Sequence, residues 1–255
     1  MSSAYLLVSH GSRDPRPQTA AKYLTQLVLQ ALDAPEVRFA IESRNRSLKN
    51  SLPIVGSTTL EFASLPLHQS IEKFALRAKA AGFNEVQIVP LFLHAGVHVL
   101  EDLPAAVEQA QHALTAGISL NLLPHLGSYA GVERLLVAEF ERLDARQRIL
   151  LAHGSRRPRG NDGISSLANR LGARVAYWSI APSLAQQVSD LAAGEAIAIV
   201  PYFLFAGNIT EAIAAENEQL QRQVPETALR LGQPLGATPE LAASIVEALV
   251  EANRN

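Results

Sequence analysis

The 255-residue chain has no cysteine. That absence removes disulfides, thiolate zinc sites, iron–sulfur clusters and a cysteine nucleophile together, and leaves any metal to histidine, carboxylate or backbone ligands. There is no excess of positive charge either. Only 22 Lys+Arg stand against 24 Asp+Glu, a formal net charge of −2, so no broad phosphate-binding surface and no nucleic-acid partner are expected. No stretch reaches the roughly 20 apolar residues of a membrane helix. The apolar run Ala4–Val8 is too short for the core of an export signal, and Met1–Ala4 lacks basic residues. A soluble, cytoplasmic protein without a membrane partner is therefore expected. The common cofactor signatures are missing as well: GxGxxG after a strand, GxxxxGK followed by Ser or Thr, GxSxG and HExxH. A nucleotide-driven or nicotinamide reaction has no support. What is present is 48% hydrophobic and 18% charged residues in 27.4 kDa, enough for a sizeable core in one large domain or two small ones.

Short apolar runs alternate with amphipathic segments. Strands are expected at Ala4–Ser9, Glu36–Glu42, Glu85–Phe92 and Ile118–Leu123. Helices are expected at about Pro17–Leu32, Pro66–Ala81, Glu101–Thr115 and Gly131–Leu143. From Gln147 the pattern restarts and runs to a last helix at Pro239–Ala252. Alternating strands and helices imply parallel sheets of right-handed βαβ units. Residues repeat as well as pattern. Ser9–Arg13 (SHGSR) matches Ala152–Arg156 (AHGSR), Ser47–Leu48 matches Ser183–Leu184, Val89–Gly96 matches Val200–Gly207, and Leu126–Gly127 matches Leu235–Gly236. The offsets of 143, 136, 111 and 109 place an insertion of about 25 residues near Ser51–Gln69 of the first half. Two tandem α/β domains follow, 1–145 and 146–255, each a parallel sheet flanked by helices.

The chemistry-bearing residues sit at strand ends, where parallel sheets bind ligands. His10 follows the first strand, with Gly11 permitting a tight turn and Ser12 and Arg13 adding a hydroxyl and a cation. A turn histidine bonding to backbone is the plainer alternative for His10. His94 and His98 follow the third strand; Gly96 between them argues for a turn that presents one ligand rather than a helical pair. Glu42 closes the expected second strand as a third ligand or proton acceptor, against the plain reading of a solvated carboxylate. Arg44, Arg46 and Lys49 come next and, with Arg13, form an anion site or simply a solvated loop. Glu101 and Asp102 suit the start of the following helix, with a contact to His98 as a further option. In the second half His153 corresponds to His10, but Ile209 stands for His98 and Trp178 for Glu42, so one working site is expected, in the first half, beside a degenerate copy.

The segments LLVSHGSRDPR (Leu6–Arg16), VPLFLHAGVHVLEDLP (Val89–Pro104) and LLAHGSRRPRGND (Leu150–Asp162) resemble the sirohydrochlorin chelatases, the class II chelatases of the siroheme and anaerobic cobalamin routes, in their long, internally duplicated form. The segment Leu65–Ala75 is similar to cyanobacterial members. The resemblance implies a chelatase-like fold, two domains facing across a cleft, and insertion of Fe2+ or Co2+ into sirohydrochlorin without ATP, the metal being substrate and no cofactor being permanently bound. His10 and His98 match the family's two histidines. Glu42 is matched to its strand-end glutamate, although Ser43–Arg46 departs from the usual apolar-acidic-Pro stretch. Substrate contacts are expected from Gly11, Ser12, Arg13, Arg44, Arg46 and His94.

This chemistry suits the residues. Imidazole binds Fe2+ and Co2+ yet exchanges them, it accepts protons near neutral pH, and arginine forks suit a polycarboxylate macrocycle. On this reading His10 and His98 hold the metal, and one histidine or Glu42 takes a pyrrole proton. Iron and siroheme are favoured over the cobalt variant. A tetrapyrrole or metal carrier without turnover would show the same histidines. A phosphohydrolase with His10 as nucleophile is the more distant rival. With two repeats in one chain, a monomer suffices.

Overall fold

The computed structural model describes residues 3–42, 53–114, 117–191 and 194–252, with backbone alone for 39–42. The first half runs β1 (Ser3–Ser9), α1 (Pro15–Asp33), α2 (Pro35–Glu42), β2 (Val55–Thr59), α3 (Leu67–Ala80), β3 (Glu85–Pro90), a π-helical turn (His98–Asp102), α4 (Leu103–Ala113), β4 (Ser119–Leu122) and α5 (Ala130–Leu143). The second half runs β5 (Gln147–Ala152), α6 (Asp162–Arg170), β6 (Arg174–Tyr177), α7 (Leu184–Ser189), β7 (Ile197–Pro201), α8 (Asn208–Gln223), β8 (Leu229–Leu231) and α9 (Pro239–Ala252).

All pairings are parallel, and the two sheets have the same order: β2-β1-β3-β4 and β6-β5-β7-β8. The chain leaves β1 toward one side for β2, then crosses to the other side for β3. That reversal creates a switch point at the carboxyl ends of β1 and β3, the crevice where open α/β sheets bind ligands. β1 is buried along its whole length, as a strand with helices on both faces must be. Ala4, Leu6 and Val8 pack with Ile71, Phe74 and Ala75 of α3 and with Leu103 and Ala110 of α4. Leu24, Val28 and Leu32 bury one stripe of α1, and this helix packs on α9. In the second half Ile149 and Leu151 of β5 join Ile197 and Ile199 of β7, Leu184 and Val188 of α7 and Ile213 of α8 in one core.

One expected strand is corrected. Glu36–Glu42 is not a strand but the helix α2, and the strand beside β1 is Val55–Thr59. Pro35 is the first residue of α2 and Glu36 lies in its first turn, both favourable at a helix start. The apolar residues of EVRFAIE fit helical spacing as readily as a strand. The supposed insertion near Ser51–Gln69 therefore contains the second strand. Ser43, Arg44, Arg46, Ser47, Leu48 and Lys49 lie outside the described residues, as does the side chain of Glu42.

The chain divides into two compact units, residues 1–131 with 237–255, and residues 132–236. The sequence pattern restarts at β5, close to the expected boundary, but the terminal helices are exchanged between the halves: α9 belongs to the first unit and α5 almost wholly to the second. In the second unit Arg170 of α6 pairs with Glu133 of α5 at 2.9 Å, and Arg148 lies over the ring of Phe140. Among the described residues no helix is long and apolar enough to cross a membrane.

Candidate metal-binding site

The sheet ladder continues past the ends of β1 and β2. Leu60 N–H donates to Ser9 O and Glu61 N–H to His10 O, each at 2.9 Å. Gly11 turns sharply away with φ +94°, and a Cβ there would run into the Glu61 backbone. Glycine is thus required twice, for conformation and for space. Ser12 Oγ accepts from Asp14 N–H at 3.0 Å and Ser12 O from Gln18 Nε2 at 3.2 Å. Asp14 caps α1 by accepting from Arg16 N–H at 3.0 Å. The HGSR loop is therefore tied to the helix it precedes, with His10 left at the strand end.

Beyond β3, the chain turns through Gly96 into the π-helical segment, where Leu103 N–H donates to His98 O. A single π turn is a frequent device at functional sites. Here it brings Asp102 Oδ2 to 2.7 Å from His98 Nδ1. The His98 ring stands edge-on to that of His10, centroids 4.6 Å apart. Phe92 lies 6.2 Å from the first ring and 6.3 Å from the second.

Glu61 completes the group. One ligand atom from each of His10, Glu61 and His98 lies within 4.8 Å of the others. Donor atoms around a small tetrahedral ion stand about 3.4 Å apart, so modest side-chain rotation closes the set. His10 Nδ1 has Gly11 O at 3.2 Å and Glu61 Oε2 at 3.9 Å. A carbonyl can only accept, so Nδ1 carries the proton toward Gly11 and Nε2 is left as the donor nitrogen. His98, with Nδ1 on Asp102, is oriented the same way by a carboxylate. All three side chains are partly exposed, so an ion there is open to exchange. Two neutral imidazoles and one carboxylate suit a borderline divalent ion.

The expected histidines thus converge, and among the described residues the carboxylate beside them is Glu61; the side chain of Glu42, the expected third ligand, lies outside the described residues. Arg13 lies with its guanidinium 5.8 Å from the Phe62 ring centroid, next to the site. His94 is half-buried rather than part of the three-ligand group. Burial holds its imidazole below the ordinary range, and His125 nearby lowers it further. Burial also lowers His125, against an opposing hydrogen bond of its Nδ1 to Phe92 O at 3.2 Å.

The second half repeats this scaffold with one of the three donors. His153 Nδ1 meets Gly154 O at 3.1 Å. Trp178 N–H and Ser179 N–H donate to Ala152 O and His153 O, as Leu60 and Glu61 do in the first half. The ladder therefore pairs Glu61 with Ser179 and Leu60 with Trp178, which corrects the expected match of Glu42 with Trp178. Ser179 Oγ donates to His153 O at 2.8 Å. Histidine is kept, while carboxylate and second histidine are replaced by Ser179 and Ile209. Among the described residues, His10, Glu61 and His98 are the one group of three that could hold a metal.

The fold is that of solved chelatases. SirB from Bacillus subtilis with Fe3+ is 20% identical and superposes with a TM-score of 0.76, over 100% of this chain and 97% of that one. SirB from Bacillus subtilis subspecies spizizenii in complex with cobalt gives 20% identity and a TM-score of 0.71 over the same shares. CbiX, described as the terminal enzyme for biosynthesis of siroheme in denitrifying bacteria, gives 24% and 0.64, over 98% of this chain and 99% of that one. No curated protein matches the sequence. The family model CbiX matches residues 4–143 and again 147–252. The chain belongs to the CbiX family, in a form that carries the family unit twice.

Proposed function

We propose that the chain is a sirohydrochlorin chelatase, inserting a divalent metal into the tetrapyrrole without ATP. The observation that carries the reading is the convergence of His10, Glu61 and His98 within 4.8 Å at the switch point of the first sheet. Insertion binds a divalent ion and releases two pyrrole protons. Two imidazole nitrogens hold a partly dehydrated ion by bonds weak enough to exchange. Glu61 supplies the third contact; as metal–nitrogen bonds form and its bond to the ion breaks, its carboxylate is placed to receive one of the two protons, and the other passes to solvent at this exposed site. The metal is Fe2+ in this reading, which makes the protein a ferrochelatase; the family also includes the alternative, Co2+. A cytoplasmic, monomeric enzyme with no resident cofactor completes the proposal.

An absorbance time course of sirohydrochlorin with Fe2+ or Co2+ at limiting protein tests it. Many turnovers per chain are expected, with His10→Ala and His98→Ala at the spontaneous rate and normal circular dichroism. A single stoichiometric turnover would make the protein a carrier instead.

A further inference from the structure

Next to the metal ligands the chain does something that folding alone does not reward. Phe62, directly after Glu61, is 55% exposed and sits at φ +58°. A bulky side chain in the left-handed region is strained, and an exposed aromatic ring gains little from burial to offset that. Such strain persists where neighbours over-determine it and collects at ligand-binding positions. The neighbours are visible here. Glu61 is fixed by its hydrogen bond to His10 O and by the Gly11 backbone packed against it, so residue 62 is turned outward as the chain leaves the sheet. Arg13, two residues past Gly11, brings its guanidinium to 5.8 Å from the ring centroid, within cation–π range. In the π-helical turn Leu100, two residues past His98, is 64% exposed.

We propose that Phe62 and Arg13 form a docking element for the tetrapyrrole: the ring contacts the conjugated macrocycle, and the guanidinium takes one of its peripheral carboxylates. The assignment rests on the chelatase reading and adds a substrate site to it. A flat, conjugated ligand rimmed by several carboxylates needs both features at once, an aromatic face and a fork for carboxylate. Their adjacency to the ion ligands would seat the macrocycle over the metal.

Phe62→Gly and Phe62→Leu test this in the full chain. Glycine relieves the left-handed backbone, so its thermal midpoint should stay level or rise. Binding of Co2+ alone, read by its visible absorption, should match the wild type in both variants. The KM for sirohydrochlorin should rise roughly tenfold in each, the size expected for losing aromatic stacking on a conjugated ring, with kcat changed far less. Arg13→Gln should raise KM in the same manner. An unchanged KM in either Phe62 variant overturns the proposal, as does a lowered thermal midpoint with Co2+ binding lost, which would make Phe62 structural. A wild-type chain that binds Co2+ but never turns over sirohydrochlorin would instead defeat the chelatase reading itself.

Discussion

Gly11 and Glu61 meet backbone to backbone: a Cβ on Gly11 would overlap the carbonyl oxygen of Glu61. The contact joins the loop that carries one imidazole to the loop that carries the carboxylate. Gly11→Ala must both hold a left-handed φ and push those loops apart. It is expected to cost about 1–3 kcal/mol from the backbone alone and to abolish Co2+ binding, which thermal unfolding and a metal titration would read separately. A variant with unaltered Co2+ affinity would contradict the geometry.

Glu61 and Glu42 make opposite demands on a mutant pair. Glu61→Gln keeps shape but removes the anion, and insertion should fall by roughly 10²-fold or more if the carboxylate serves as ligand and base. Glu42→Gln, in a residue at the end of α2, should leave the rate near wild type. Initial rates of sirohydrochlorin metallation decide between them. A reversal of the two effects would restore the sequence-based assignment.

The Asp102 carboxylate holds His98 Nδ1 at 2.7 Å and thereby leaves Nε2 as the nitrogen that can bind an ion. Removing such a partner usually costs about 10–100-fold in metal affinity. Asp102→Ala should weaken Co2+ binding by that factor and Asp102→Asn by less, since an amide oxygen still accepts from Nδ1–H. Equal affinity in all three proteins would show that the ring is oriented by packing alone.

The second half supplies an internal control. His153 has the same backbone partner as His10 but has Ser179 and Ile209 where Glu61 and His98 stand in the first half. His153→Ala is expected to keep most of the insertion rate that His10→Ala loses. Comparable losses would end the one-site reading.

Stability should depend on pH through His94 and His125. Both imidazoles are lowered from an ordinary value of 6.5 by burial. Between the folded and unfolded values the unfolded chain binds more protons, so stability falls as pH drops below about 6.5 and levels off beneath the folded values. Thermal midpoints measured above and well below that pH should separate, and the gap should narrow in His125→Gln. An equal gap in wild type and variant would place the acid sensitivity elsewhere.

Much of this was legible from residues. The repeat of SHGSR and AHGSR located equivalent strand ends, and the apolar runs around Leu6, Ile88, Ile149 and Ile199 fixed the central strands, because buried parallel strands need continuous hydrophobicity. β2 was not legible. VGSTT is short, small and half polar, and it draws its place from pairing with β1 rather than from its own composition. EVRFAIE, richer in β-formers, took that role on paper while its proline and early glutamate favoured a helix. Missing the strand meant missing Glu61. The signal that would have found it is the position of the carboxylate two residues beyond the β-branched pair Thr58-Thr59, matching the place of Ser179 beyond β6.

The exchange of α5 and α9 has a consequence for biogenesis. The first unit holds the three candidate ligands, yet one of its helices is encoded in the last stretch of the chain. A ribosome that has finished the first repeat has therefore not finished the body that carries the site. Leu241, Ile245 and Leu249, buried in the fold, are made after the whole second sheet, so the first unit can complete its packing only once the second repeat has been synthesised. Cutting the gene at the repeat boundary would leave α1 of the first fragment without α9, the helix it packs on, rather than yield two self-sufficient units.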